Sequence, residues 1–137
     1  MRPIYETEKD RQAEREIARR FGQTFRYQVS KRGKYDHFDF DALVGSEVVG
    51  HFECKRRYNP MNRYNDFAIS MIKVEAARAK TKPCAIVVQW DDCIGWVRPE
   101  QIAYTKMGGR SDRGDPADQE LMAHFRFDDF KMIDQPG

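Results

Sequence analysis

Apolar residues at helical spacing mark the first predicted element of the chain. Residues 7–21 are expected to form a helix that Thr7 caps at its N-terminus and that ends just before Gly22. The apolar positions of this helix recur every four residues, at Ala13, Ile17 and Phe21. The next segment, residues 24–29, alternates apolar and polar side chains and therefore predicts a strand.

Alternation continues in the middle of the chain and then gives way to a helical pattern. An antiparallel strand pair is predicted over residues 36–44 and 48–55, joined by a short glycine-containing turn. A second helix is expected over about residues 65–80, with Asn65 or Asp66 as its N-cap. The apolar positions of this helix are Tyr64, Phe67, Ala68, Met71, Ile72 and Ala79.

The C-terminal half is predicted to add strands and one long loop. Residues 82–90 form a nearly continuous apolar run, typical of a strand buried on both faces, and residues 93–97 predict another strand. Residues 106–120 have almost no apolar side chains and predict a loop, and residues 124–133 predict one or two short edge strands. The order α-β-β-β-α-β-β indicates an α/β fold, a central mixed sheet flanked by helices, in a single domain spanning residues 1–137.

The charge of the chain is nearly balanced but unevenly distributed. Charged residues make up 34% of the 137 residues, yet the formal net charge is only +2, which by itself does not indicate a nucleic-acid binder. Residues 26–34 and 55–64 each carry four basic residues and no acidic one, while residues 112–134 lean acidic. Such local basic patches suit an anionic partner, although solvated loops have the same composition.

The sequence also indicates the cellular compartment of the protein. No apolar run approaches the roughly 18 residues of a membrane span, and the N-terminal segment lacks the apolar region of an export signal. The three cysteines are odd in number and fall within predicted strands, which indicates a reduced protein of the cytoplasm. No Cys and His spacing suggests a structural zinc site.

The predicted strand pair concentrates ionisable residues on one face. A three-residue turn would oppose, on that face, Asp41 with His51, Asp39 with Glu53, and His37 with Lys55. The other face would be apolar, formed by Phe38, Phe40, Ala42 and Val44 with Val48, Gly50, Phe52 and Cys54. A two-residue turn would mix the two sets, which burial disfavours.

Opposed carboxylates beside a lysine have a chemical use. Two carboxylates about 5 Å apart repel one another, and oxygen-rich clusters suit a hard divalent cation such as Mg²⁺. Lys55 could then position or deprotonate a water molecule beside that metal. The simpler interpretation is a solvated sheet face on which Lys55 neutralises Glu53. The paired Asp39, the turn and the following helix favour the functional interpretation.

This arrangement resembles the PD-(D/E)XK nuclease superfamily. Its core is a helix, a three-strand meander carrying the motif, a second helix and a further strand. The matching residues are Asp39, then thirteen residues, then Glu53, Cys54 and Lys55. Phe38 stands where the family's name has a proline before the aspartate, a proline that many members lack. The resemblance covers about residues 7–97, implies a restriction-endonuclease-like core, and extends more loosely to small nuclease-like proteins encoded by phages.

The resemblance implies roles for individual residues. A Mg²⁺ or Mn²⁺ ion would be held by Asp39, Glu53 and the main-chain carbonyl of Cys54. Lys55 would position or activate the attacking water. Glu14 on the first helix would add the carboxylate found in several lineages, unless it is an ordinary exposed helix charge. Gln89 occupies the place of a glutamine that some members carry, and would otherwise be a buried amide.

Cations near the motif would contact the phosphodiester backbone, namely Arg56, Arg57 and Arg63. Lys73 is expected either to face the site or a phosphate, or to snorkel from its helix. Arg110 and Arg113 either reach a DNA backbone or pair with neighbouring aspartates in a surface loop. His37 and His51 either assist proton transfer or have a flanking polar role.

The sequence therefore predicts a divalent-metal-dependent nuclease that hydrolyses phosphodiester bonds, in DNA, within the cytoplasm of a bacterial host. A homodimer is compatible with this prediction, because dimers are common in this fold class. One alternative is a non-catalytic nucleic-acid-binding protein that retains the nuclease fold. Another is a structural or inhibitory partner that uses its acidic C-terminal part as a decoy surface.

Overall fold

The structure is a computed structural model that describes residues 8–33, 37–109 and 119–133. Thr7, Arg110 and Arg113, each assigned a role from the sequence, lie outside these residues. The described helices are α1 (Glu8–Phe25) and α2 (Met71–Arg78). The described strands are β1 (Gln28–Lys31), β2 (Phe40–Val44), β3 (Glu47–Arg56), β4 (Phe67–Ser70), β5 (Cys84–Gln89), β6 (Ile94–Val97), β7 (Tyr104–Gly109), β8 (Gln119–Phe125) and β9 (Lys131–Ile133).

A six-stranded mixed sheet forms the centre of the fold. Its strand order is β1-β2-β3-β5-β6-β9, in which β3 and β5 run parallel and every other neighbouring pair is antiparallel. A smaller antiparallel sheet has the order β4-β8-β7. The predicted α/β fold with a central mixed sheet is confirmed.

Two apolar clusters cover the two faces of the central sheet. On one face α1 packs on β2, β3 and β5, through Ile17, Ala18, Phe21, Phe40, Phe52, Cys54 and Val87. On the other face α2 and the small sheet pack on β5, through Phe67, Ile69, Val74, Ala77, Ile86, Val88 and Phe125. Strand β5 contributes to both clusters, which explains its nearly continuous apolar sequence.

Helix α1 ends later than its sequence predicts. It continues to Phe25, and Arg26 adopts a left-handed backbone conformation with φ of 61°. The N–H of Tyr27 donates to the carbonyl of Gly22 at 2.8 Å, and the N–H of Arg26 donates to that of Gln23 at 3.4 Å. These two bonds form a Schellman motif, so Arg26 takes the terminal role predicted for Gly22.

Gly22 is required for packing rather than for helix termination. A Cβ atom at this position would lie 2.6 Å from Cγ2 of Val29 and 3.0 Å from the carbonyl oxygen of Tyr27. The close approach brings α1 against the chain that leads into β1. The strand predicted over residues 24–29 consequently begins only at Gln28.

The segment predicted as one long helix divides into a strand and a shorter helix. Residues 67–70 form β4, which pairs with β8, a partner about fifty residues away that local periodicity does not reveal. Ser70 caps α2, and its hydroxyl oxygen accepts the N–H of Ile72 at 3.3 Å. The caps predicted at Asn65 and Asp66 are therefore wrong, and Tyr64 and Ile72 are exposed rather than buried.

The predicted polar loop over residues 106–120 is partly strand. Strand β7 pairs with β8 from Tyr104 opposite His124 to Gly109 opposite Gln119. Polar residues suffice there because β7 is an edge strand with one partner. The predicted terminal strands are confirmed, since β9 adds an edge to the central sheet. None of the helices in the described part of the chain is long and apolar enough to cross a membrane.

Candidate active site

The β2–β3 hairpin reaches the predicted register by a different route. Val44 pairs with Glu47, so the turn contains two residues and not three. A bulge on β3 then inserts Val49 as an extra residue and shifts the register by one. Beyond the bulge Asp41 opposes His51, as predicted, and their side chains contact at 2.7 Å between Oδ1 and Nδ1.

The two faces of β3 separate as the sequence predicts. Phe52 and Cys54 are buried beneath α1. Glu53 and Lys55 therefore project to the opposite face, where their register partners on β5 are Ile86 and Val88. Glu53 is only 7% exposed and is the buried charged residue among those described.

Three donors surround the Glu53 carboxylate. Nζ of Lys73 lies 2.9 Å from Oε1, and Nζ of Lys55 lies 3.5 Å from the same oxygen. The main-chain N–H of Phe38 donates to Oε2 at 3.0 Å. Lys73 therefore faces Glu53 and does not snorkel from its helix into solvent. One carboxylate and two ammonium groups from different elements form a compact ionic cluster.

These partners keep Glu53 ionised despite its burial. Burial alone would raise the pKa of its carboxyl group. Lys55, Lys73 and the N–H of Phe38 together outweigh burial and hold the pKa below its ordinary value of 4.5. Glu53 is consequently a carboxylate at neutral pH, and its charge is compensated within the protein.

The chain before β2 departs from the extended conformation that alternation predicts. Phe38 has a φ of 57° and packs into the cluster on the α2 side, not into the α1 cluster where the sequence placed it. This bend aims its N–H at Glu53. The neighbouring His37 has a buried Nδ1 without a hydrogen-bond partner. Burial, together with the charge of Lys73, lowers the pKa of His37, so its ring is neutral at pH 7.

Asp39 directly follows this bend and has a cation of its own. Its Oδ2 lies 2.5 Å from Nζ of Lys31 on β1. The ladder between β2 and β3 begins at Phe40 opposite Phe52, so Asp39 and Glu53 occupy the next positions beyond its last pair. The contact between Lys31 and Asp39 has no signal in the local sequence, because it depends on β1 pairing with β2 in this register.

Three carboxylates influence the Cys54 thiol electrostatically. Burial raises the pKa of this thiol well above its usual value, and the charges of Glu14, Asp39 and Glu53 raise it further. Glu14 on α1 is therefore near enough to Cys54 for its charge to affect the thiol. Gln89 pairs with Arg56 in the β3–β5 register and shares the α1 face of the sheet with Cys54. It does not share the face of Glu53 and Lys55.

Two of the three arginines predicted to bind nucleic acid are engaged within the protein. Nη2 of Arg56 contacts the Asp91 carboxylate at 2.9 Å, and its guanidinium covers the Tyr58 ring at 4.4 Å. Arg57 donates to the carbonyl of Ala68 at 3.3 Å and is half-buried. Arg63 lies in a short 3₁₀ helix and is exposed.

The donors at this site suit a hard divalent cation by their chemistry. Asp39, Glu53 and Glu14 supply carboxylate oxygens, which Mg²⁺ and Mn²⁺ prefer, and all three raise the pKa of the Cys54 thiol through their charges. Among the described residues, no three His, Cys, Asp or Glu side chains are close enough to hold an ion as they stand. Lysine ammonium groups form ion pairs with the carboxylates of Glu53 and Asp39.

The fold defines the class of the protein as one with a PD-(D/E)XK-type core. The Holliday junction resolvase Hjc of the archaeal hyperthermophile Archaeoglobus fulgidus has the same fold. Its structure aligns with 88% of this chain and 92% of its own, with a TM-score of 0.57 and 11% sequence identity.

A sequence family identifies the chain more closely. The family described as "Phage putative PDDEXK endonuclease" matches residues 1–133, nearly the whole chain. The protein belongs to this family of phage endonucleases. No curated protein sequence matches the chain significantly. The resemblance inferred from Asp39, Glu53 and Lys55 is thereby confirmed at the level of family and fold.

Proposed function

We propose that the protein is a divalent-metal-dependent nuclease that hydrolyses phosphodiester bonds in DNA. The observation that carries this proposal is the buried, ionised Glu53 held between Lys55 and Lys73, with Asp39 just beyond the same strand pair. Membership of an endonuclease family supports the nuclease activity. The choice of DNA and the need for a metal belong to the proposal.

The proposed roles follow from the charge and position of each side chain. Asp39, Glu53 and the carbonyl of Cys54 would hold Mg²⁺ or Mn²⁺, with Glu14 reaching the same place from α1. A bound ion supplies a Lewis acid for the phosphate and lowers the pKa of a water molecule. Lys55, 3.5 Å from Glu53, positions that water as the nucleophile.

The remaining polar residues would act around this centre. Lys73 offsets negative charge that develops on the phosphate, because it reaches Oε1 of Glu53 from α2 on the reacting face. Gln89 lies on the α1 face, so its proposed role is beside Glu14 rather than beside Lys55. Arg63 is exposed and remains the proposed backbone contact among the three arginines.

The first test compares the wild-type protein with Lys55→Met and Glu53→Gln on labelled duplex, flap, junction and single-stranded DNA, and on RNA. Each substrate is incubated with Mg²⁺, with Mn²⁺ and with EDTA. Cleavage by the wild type is expected to disappear in EDTA, and each substitution is expected to reduce it by at least about hundredfold. Lys82→Met, an exposed lysine away from the site, is the matched control and should cleave normally.

The alternative is a nucleic-acid-binding protein that keeps the fold without turnover. It is favoured by the compensation of Glu53 within the protein, which would stabilise a site that no longer binds a metal. Binding without cleavage of any substrate, unchanged by Lys55→Met and Glu53→Gln, would establish this alternative and contradict the proposed nuclease.

Two further properties belong to the same proposal. The protein would act on DNA in the cytoplasm of a bacterial host, as a single domain over residues 1–137. A homodimer would bring two such sites onto one substrate. Sedimentation analysis of the purified protein, with and without DNA, measures its oligomeric state.

A further inference from the structure

A second cleft lies next to the proposed site on the same face of the central sheet. Arg57 follows Lys55 by two residues, and its guanidinium lies 5.0 Å above the ring of Phe67 in the α2-side cluster. The cleft begins at Arg57, extends over Phe67, and has a volume of about 280 Å³. This volume is close to the lower end for small-molecule sites, about 300 Å³.

Four of the residues that line this cleft are Phe, Tyr or Trp. Trp90, Phe127 and Tyr64 line it from three separate segments of the chain. Trp90 and Phe127 contact edge to face at 5.9 Å, so their relative orientation is held by packing. Tyr64 lies at the rim of the cleft and is 64% exposed, so its ring is accessible to a ligand.

The other end of the cleft is polar and internally ordered. Asp66 accepts a hydrogen bond from Nδ1 of His124 at 3.0 Å and another from the Tyr104 hydroxyl. The Tyr104 ring stacks on the His124 ring at 4.5 Å with an angle of 9° between them. Because Nδ1 is engaged by Asp66, Nε2 is the other ring nitrogen through which His124 can meet a ligand.

We propose that this cleft binds one unpaired nucleobase of the DNA substrate, beside the site where the backbone is cut. A nucleobase is flat, stacks on aromatic rings, and carries hydrogen-bond donors on its edge. In a nucleotide the base is joined to a phosphodiester, which can lie along the side of β3 that carries Lys55. This inference rests on the proposed nuclease function and specifies its substrate as DNA with a nucleotide released from pairing.

The test measures DNA binding in EDTA, so that no cleavage is needed. Three labelled duplexes are compared: one fully paired, one with a single extra nucleotide, and one with an abasic residue at the extra position. The wild type is expected to bind the extra nucleotide about tenfold more tightly than either other duplex, as the loss of one stacked base implies. Tyr64→Ala should abolish this preference and Tyr64→Phe should retain it.

Tyr58→Ala provides the matched control, because Tyr58 is 54% exposed in the same loop but lies outside the cleft. It should retain the tenfold preference. Equal affinity for the three duplexes, or a preference that survives Tyr64→Ala, would overturn the nucleobase site. Since both substituted tyrosines are exposed, misfolding does not obscure the comparison.

Parallel cleavage assays with Mg²⁺ separate the two proposals. Metal-dependent cleavage of all three duplexes at equal rates would support the nuclease and refute the nucleobase cleft. A Tyr64-dependent preference in binding without cleavage would support the cleft and refute the nuclease. Faster cleavage of the duplex with the extra nucleotide, lost in Tyr64→Ala, would support both.

Discussion

At the scale of single residues, the unusual feature is a buried carboxylate whose stability depends on two lysines. An ion removed from water loses several kcal/mol of solvation, which close partners must offset. Glu53 has an ammonium group from its own strand, another from α2, and a main-chain N–H from Phe38. Removing one partner leaves a charge that water cannot reach easily.

Lys73→Met tests this dependence. The substitution keeps the aliphatic packing of the side chain but removes the 2.9 Å contact with Glu53, and we expect the free energy of unfolding to fall by about 1–3 kcal/mol at pH 7. Urea denaturation measures the change. Arg78→Met on the same helix removes an exposed pair with Glu75 and should cost no more than about 0.5 kcal/mol. Equal effects of the two substitutions would contradict the importance of burial.

The lowered pKa of Glu53 also predicts a pH dependence of stability. Its contribution is fully present above the unfolded-state pKa of 4.5 and is lost as pH falls through the lower folded-state value. The difference in free energy of unfolding between the wild type and Glu53→Gln should therefore be largest above pH 5 and shrink towards pH 3. Denaturation at a series of pH values measures it, and a difference independent of pH would disprove the assignment.

At the scale of elements, α1 is positioned by the absence of a side chain at Gly22. Alanine favours helices over glycine by about 1 kcal/mol, which argues for a stabilising effect of Gly22→Ala. The new Cβ would lie 2.6 Å from Val29, however, and would force α1 away from β1. The geometric conflict is larger, because it involves the backbone carbonyl of Tyr27 at 3.0 Å as well.

We therefore expect Gly22→Ala to lower the free energy of unfolding by about 1–3 kcal/mol. Thermal denaturation followed by circular dichroism measures the change. Gln12→Ala, on an exposed face of the same helix, is the control and should leave stability unchanged or slightly increased. A stabilised Gly22→Ala would show that Val29 can move aside at little cost.

At the scale of the whole molecule, the basic residues differ in role although the net charge is nearly balanced: some stabilise the fold and others face solvent. Arg57 is half-buried and donates to Ala68, whereas Arg63 is exposed. We expect Arg57→Met to reduce the free energy of unfolding by about 1–3 kcal/mol, because an acceptor and a packed side chain lose their partner. Arg63→Met should leave stability unchanged.

Arg63→Met should also change how DNA binding depends on salt. Removing one phosphate contact lowers the slope of log affinity against log salt by about 0.9 for duplex DNA. Arg63→Met is expected to show this change when binding is measured by fluorescence anisotropy in EDTA over a range of NaCl concentrations. An unchanged slope would remove Arg63 from the proposed interface.

Much of the site was predictable because strand alternation is a local property. The apolar positions Phe52 and Cys54 required a buried face, so Glu53 and Lys55 had to share the other one. The central sheet followed from the apolar run that became β5, since a strand buried on both faces needs partners and cover. The family resemblance was recognised from Glu53 and Lys55, together with Asp39 and the order of the surrounding helices and strands.

Other features depend on contacts between distant segments, which local patterns do not contain. The two-residue turn and the bulge at Val49 cancel in register, so either route satisfies the apolar pattern. The bend at Phe38, the contact of Lys73 with Glu53, and the pairing of β4 with β8 each require a partner at least fifteen residues away. Alternation determined which residues could share a face, and only tertiary packing decided which of them meet, because hydrogen bonds and ion pairs form between positions that folding brings together.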